Sequence, residues 1–144
     1  HTTCVSRGGR NALIMSDMPF NAMNSLRESL HNAGRLMQAG AHIVKLEGDR
    51  WLSDIIQELS HRGIPVCAHL GLTPQSVNKL GGYKVQGKQA EKATRMIEDA
   101  KLLEQAGADL LLLECVPATL GKRIGRFTNN RHRCQPRADC RWEV

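Results

Sequence analysis

The 144 residues carry 20 Lys and Arg against 14 Asp and Glu, a formal net charge of +6, with 41% hydrophobic and only 3% aromatic residues. That is one domain's length of chain with enough apolar material for an aliphatic core, and no run reaches the roughly 18 apolar residues of a membrane span. Seven basic residues (Lys122, Arg123, Arg126, Arg131, Arg133, Arg137, Arg141) and two acids (Asp139, Glu143) follow Gly121, a net of +5, so the body is near neutral and argues against a nucleic-acid partner.

Residues 1–10 show no signal-peptide order and no initiating Met, so the sequence is expected to start inside a longer chain. Four apolar runs then read as strands: 11–17 (NALIMSD), 42–47 (HIVKLE), 64–69 (IPVCAH) and 109–114 (DLLLLE). Stretches of helical period at 25–39, 51–62 and 89–105 precede the last three strands, each closed by a glycine, Gly40, Gly63 and Gly107. This alternation predicts the α/β class, with βα units around a parallel sheet. Each strand ends on ionisable side chains: Asp17, Lys45 with Glu47, His69, and Glu114. Parallel strands point their C-termini to one end, so the five groups are expected to converge there. The plainer reading of any one of them is a polar residue meeting solvent. Four βα units are too few for a closed barrel of about eight. The segment 71–88 is far longer than a βα connection of typically about two to six residues. It reads as a lid or binding loop, or as glycine-rich turns. Five cysteines without a C-x-x-C pair suggest reduced cytosolic thiols and no zinc site.

Several stretches resemble the ketopantoate hydroxymethyltransferase family: DMPF at 17–20, VKLEG at 44–48, GIPVCAHLGLTPQSV at 63–77, GGYKVQGK at 81–88 and LLECVP at 112–117. They follow the family's order over about residues 7 to 126, and the long loop is the most specific of them. The resemblance implies a partial (β/α)8 TIM barrel of the phosphoenolpyruvate/pyruvate type over residues 1–126, and a cytoplasmic homo-oligomer, a decamer in the family. It implies transfer of a hydroxymethyl group from 5,10-methylenetetrahydrofolate to 2-oxoisovalerate, giving ketopantoate for pantothenate biosynthesis through an enolate stabilised by Mg²⁺. Asp17 corresponds to a magnesium ligand that also meets substrate, Glu47 to a further acidic group at the metal, Lys45 and His69 to substrate contacts, and Glu114 to the catalytic acid/base. Hard oxygen donors suit Mg²⁺, and a base beside a ketone acts best when burial raises its pKa.

Two departures stand out. The family carries an Asp-Ser pair at an earlier strand end, whose Asp is a metal ligand; Ser6 here is not preceded by Asp. Beyond Ile124 the family would continue into a strand like I-P-T-I-G-I-G-A-G, whereas this chain reads RFTNNRHRCQPRADCRWEV. Shifting each codon by one base lets Thr128 read Pro, Asn129 and Asn130 read Ile or Thr, and Arg131 to Cys134 read Gly, Ile, Gly, Ala. The expectation is a frameshift between about Gly121 and Phe127, leaving 127–144 as an aberrant, disordered basic tail; the alternative is an arm binding RNA or a membrane. The rival functions are a metal-enolate lyase of the isocitrate lyase and phosphoenolpyruvate mutase type, which lacks the 71–88 loop, and an inactive fragment or pseudogene product.

Overall fold

A computed structural model describes residues 1–9 and 11–127 of the chain. The expected basic tail falls outside the described residues. Four βα units run in chain order: β1 (Met15–Asp17), α2 (Leu26–Gln38), β2 (Ile43–Glu47), α3 (Ser53–His61), β3 (Val66–Gly71), α5 (Ala90–Gln105), β4 (Leu110–Glu114) and α6 (Ala118–Phe127). Two shorter helices, α1 (Thr2–Gly8) and α4 (Val77–Leu80), and 3-10 turns at Arg50–Leu52 and Pro74–Ser76 complete the set. All strands are parallel in the order β1-β2-β3-β4.

Local chemistry accounts for the boundaries. Ser25 caps α2 by accepting from the Glu28 amide at 3.2 Å, the side-chain oxygen satisfying a donor that has no helical partner. The three glycines expected to end helices all have positive φ, from +73° at Gly63 to +107° at Gly107. Strand β1 is shorter than the run 11–17 because the chain before it is held differently. The Ile14 amide donates to the His42 imidazole at 3.0 Å instead of entering a ladder. Strand β3 extends two residues past His69, because β4 continues the pairing to Gly71 opposite Glu114. His69 therefore lies within its strand and does not end it.

Period-two alternation divides the sheet. One face presents Val44, Leu46, Val66, Ala68 and Leu70, all buried against Ala33 of α2, Ile56 and Leu59 of α3, and Ile97, Ala100 and Leu103 of α5. That layer is the core, aliphatic as the composition demands. On the other face the register places Asp17 beside Lys45, Glu47 beside His69, and Gly71 beside Glu114. All five ionisable strand residues thus point away from the helices and to one side.

Candidate functional site

Parallel register and a two-residue climb from strand to strand build the site. Asp17, Lys45, Glu47, His69 and Glu114 form an unbroken sequence of close polar contacts across the strand ends. Lys45 Nζ lies 2.7 Å from Asp17 Oδ2 and 3.6 Å from Glu47 Oε1. The His69 ring bridges onward, with Nδ1 3.7 Å from Glu47 Oε1 and Nε2 3.3 Å from Glu114 Oε2. Side-chain exposure grades from 54% at Asp17 through 14% at Lys45 to 4% at Glu47 and 0% at His69, so the cluster is open at the Asp17 end and dry beneath.

The electrostatics follow from this burial. Three carboxylates face one ammonium, which leaves the cluster short of positive charge when all are ionised. His69 does not make up the difference: burial, then the Lys45 charge, lower its pKa to about 4, so it is neutral near pH 7. Among the described residues neither ring nitrogen of this fully buried imidazole has a hydrogen-bond partner of normal geometry, a costly state for polar atoms shielded from water. Burial also raises the Glu114 carboxyl above its ordinary value, against the pull of Lys45. Gly71 sits beside Glu114 with φ +98°, and a Cβ there would fall 2.2 Å from the Glu114 carbonyl oxygen. Only glycine lets β3 and β4 approach closely enough to bring Glu114 to His69.

Among the described residues no three His, Cys, Asp or Glu side chains are arranged to enclose a metal ion. A partial seat exists nonetheless. Mg²⁺ characteristically takes one or two protein carboxylates and completes its shell with water and substrate oxygens. Asp17 offers an exposed carboxylate and Glu47 has Oε1 turned into the cluster, so the donor set fits that pattern. No counterpart of the family's Asp-Ser pair is present among the described residues. Ser6 donates to the Ala39 carbonyl at 3.0 Å, just before β2 begins, at the opposite end of the sheet from Glu47.

Sequence reasoning missed two groups. Gln75, on the 3-10 turn after β3, donates its amide to Glu47 Oε2 at 2.9 Å and its side-chain Nε2 to the Met18 carbonyl at 2.7 Å. A polar residue in a polar loop gives no sign of this. Asp99 is buried on α5 and accepts from Arg50 Nε at 2.6 Å, tying the turn after β2 to the helix before β4. Its position among Ala93, Ile97, Ala100 and Leu103 is the signal that was available.

The sequence model described as Ketopantoate hydroxymethyltransferase matches residues 1–129. The chain belongs to the ketopantoate hydroxymethyltransferase family. It is 62% identical over 124 residues to 3-methyl-2-oxobutanoate hydroxymethyltransferase 2 of Hahella chejuensis, covering 86% of this chain and 47% of that protein. The 3-methyl-2-oxobutanoate hydroxymethyltransferase of Marinobacter nauticus is 63% identical over the same length and shares. The chain thus spans just under half the length of these curated relatives. Among solved structures, phosphonopyruvate hydrolase superposes with a TM-score of 0.59 at 12% identity, over 92% of this chain and 46% of that one. Dihydropteroate synthase from Thermus thermophilus reaches 0.50 at 19% identity, over 88% and 55%. At those identities the likeness is one of fold: a parallel α/β sheet forming part of a (β/α)8 barrel, as the resemblance implied.

Proposed function

We propose that this chain carries the metal- and substrate-facing strands of an enzyme that moves a hydroxymethyl group from 5,10-methylenetetrahydrofolate to 2-oxoisovalerate, giving ketopantoate. The observation that carries the reading is the convergence of Asp17, Lys45, Glu47, His69 and Glu114 on one face of the sheet, each with a polar atom 2.7–3.7 Å from the next.

Asp17 and Glu47 would hold Mg²⁺, which when bound supplies positive charge to the keto and carboxylate oxygens of the ketoacid. Lys45 adds a second positive charge at the same oxygens, where negative charge grows as the enolate forms. Glu114 Oε2 takes the proton from C3. Burial makes Glu114 a stronger base than an exposed carboxylate, closer to the working pH. Neutral His69 stands 3.3 Å from that carboxylate and does not neutralise it. The enolate carbon then bonds to the one-carbon unit of the folate as both of its carbon–nitrogen bonds break; water supplies the hydroxyl oxygen, and tetrahydrofolate leaves with the C3 proton and one water proton on its two nitrogens. A cytoplasmic homo-oligomer, with no nucleic-acid or membrane partner, completes the reading. No helix among the described residues is long and apolar enough to cross a membrane.

The test is Mg²⁺-dependent exchange of the C3 proton of 2-oxoisovalerate for deuterium, followed by NMR with the full chain. Loss of exchange in Glu114→Gln and Asp17→Asn supports the assignment; exchange that survives both variants refutes it. A second reading, a catalytically silent piece, is favoured by the sheet ending at β1 and β4 and by the lack of a metal-enclosing trio of side chains, both among the described residues. A folded chain that supports no exchange selects it.

A further inference from the structure

The segment that follows β3 does more than connect. Its residue Gln75 makes two bonds in different directions. The backbone N–H donates to Glu47 Oε2 at 2.9 Å, and the side-chain Nε2 donates to the Met18 carbonyl at 2.7 Å. Met18 is fully buried and its own amide donates to the Lys45 carbonyl at 2.9 Å, so the carbonyl that Gln75 reaches belongs to the turn directly after Asp17. The loop is itself pinned to β4, because the Leu72 amide donates to the Glu114 carbonyl at 2.9 Å. One short turn therefore touches the ends of β1 and β2 and is fastened to β4.

The consequence for Glu47 is directional. A carboxylate has two equivalent oxygens and rotates freely unless one is engaged. With Oε2 committed to the Gln75 amide, Oε1 alone faces Lys45 and His69. An N–H bonded to a charged oxygen is among the stronger hydrogen bonds, and this carboxylate is nearly fully buried.

We infer that Gln75 is a positioning residue: its side chain seats the 71–88 loop on the β1 end, and that seating aims the Glu47 carboxylate. Loop placement and carboxylate orientation are thus one event, and a change in one is felt in the other. The inference rests on the proposed function only for what Glu47 is aimed at; the linkage itself is independent of it.

The test uses Gln75→Met, which keeps the side-chain length but cannot donate, and Gln75→Glu as a second variant that also lacks the donor at neutral pH. Both are made in the full chain and read by residue-resolved amide hydrogen exchange. The expected result is exchange at the residue 75 amide faster by roughly tenfold, one hydrogen bond's protection, while the Val44 and Ala68 amides keep theirs. A merely structural loss would lower protection at all three together. Unchanged exchange at residue 75 in whichever variant retains strand protection overturns the inference. So does uniform loss in both variants. Titration with Mn²⁺ separates this from the enzymatic reading. Failure of the unmodified chain to bind the ion counts against the metal seat alone, whereas weaker binding in Gln75→Met than in the unmodified chain joins the two.

Discussion

Replacing Gly71 by alanine tests the close approach of β3 to β4, and Gly63 supplies the control. Both residues have positive φ, +98° and +73°, so an alanine at either adopts a strained backbone, costing about 1–2 kcal/mol. Their surroundings differ. A Cβ at Gly63 meets nothing within 4 Å. At Gly71 it would fall 2.2 Å from the Glu114 carbonyl oxygen and 2.9 Å from a Val116 methyl. That contact is with backbone, so the strands must separate, and the Leu72 amide bond to the same oxygen breaks. Leaving these groups unpaired adds about 1–3 kcal/mol. Gly71→Ala should therefore cost about 2–5 kcal/mol and Gly63→Ala about 1–2 kcal/mol, against a typical domain stability of about 5–15 kcal/mol. Urea denaturation followed by circular dichroism measures both, with unchanged slopes confirming a common denatured state. Equal losses in the two variants would refute the idea that close strand approach sets the Glu114 position.

Stability should also depend on pH through His69. Its pKa falls from 6.5 in the unfolded chain to about 4 when folded, so the unfolded state binds the extra proton; stability is complete above pH 6.5 and falls as the pH drops toward 4. Between pH 7 and pH 5 the loss attributable to this group is about 2 kcal/mol. His69→Gln should flatten the profile, and an equally steep profile in that variant would count against the neutral buried imidazole. Ile56→Ala, at a fully buried position on α3, should cost about 2–5 kcal/mol in the same denaturation assay. Arg50→Ala removes the partner of buried Asp99, whose pKa burial already raises. Since a protonated Asp99 needs no partner, the variant should be more damaging at pH 7 than at pH 3, and a pH-independent loss would argue against the pair.

The sheet and the strand-end cluster were legible because both rest on strong local signals. Four apolar runs broken by ionisable ends can be read directly, and parallel geometry does the rest. Helix α1 was not legible: it buries no residue and is held by polar links, Thr2 to Ser16 and Ser6 to Ala39, so it leaves no apolar period. The large apolar residues that helix α6 buries among the described side chains are Leu120 and Ile124, four residues apart, and its two glycines, Gly121 and Gly125, weaken the helical pattern further. The extension of β3 past His69 depends on its pairing with β4, a non-local fact. Gln75 escaped because its meaning lies in what it reaches across the strand ends. The expected division near residue 126 lies at the limit of the described residues, and the reading of the segment beyond it concerns residues outside them.

The alternation along each strand also sets which changes in length the chain can absorb. Deleting one residue within β2 would turn Lys45 or Glu47 into the aliphatic layer and carry Val44 or Leu46 out among the charges, inverting both sides at a stroke. Insertions near Tyr83, an exposed residue of the 71–88 segment, disturb no such alternation. In variants that still fold, gaps and additions should therefore collect in the connecting segments, leaving the spacing inside each strand untouched.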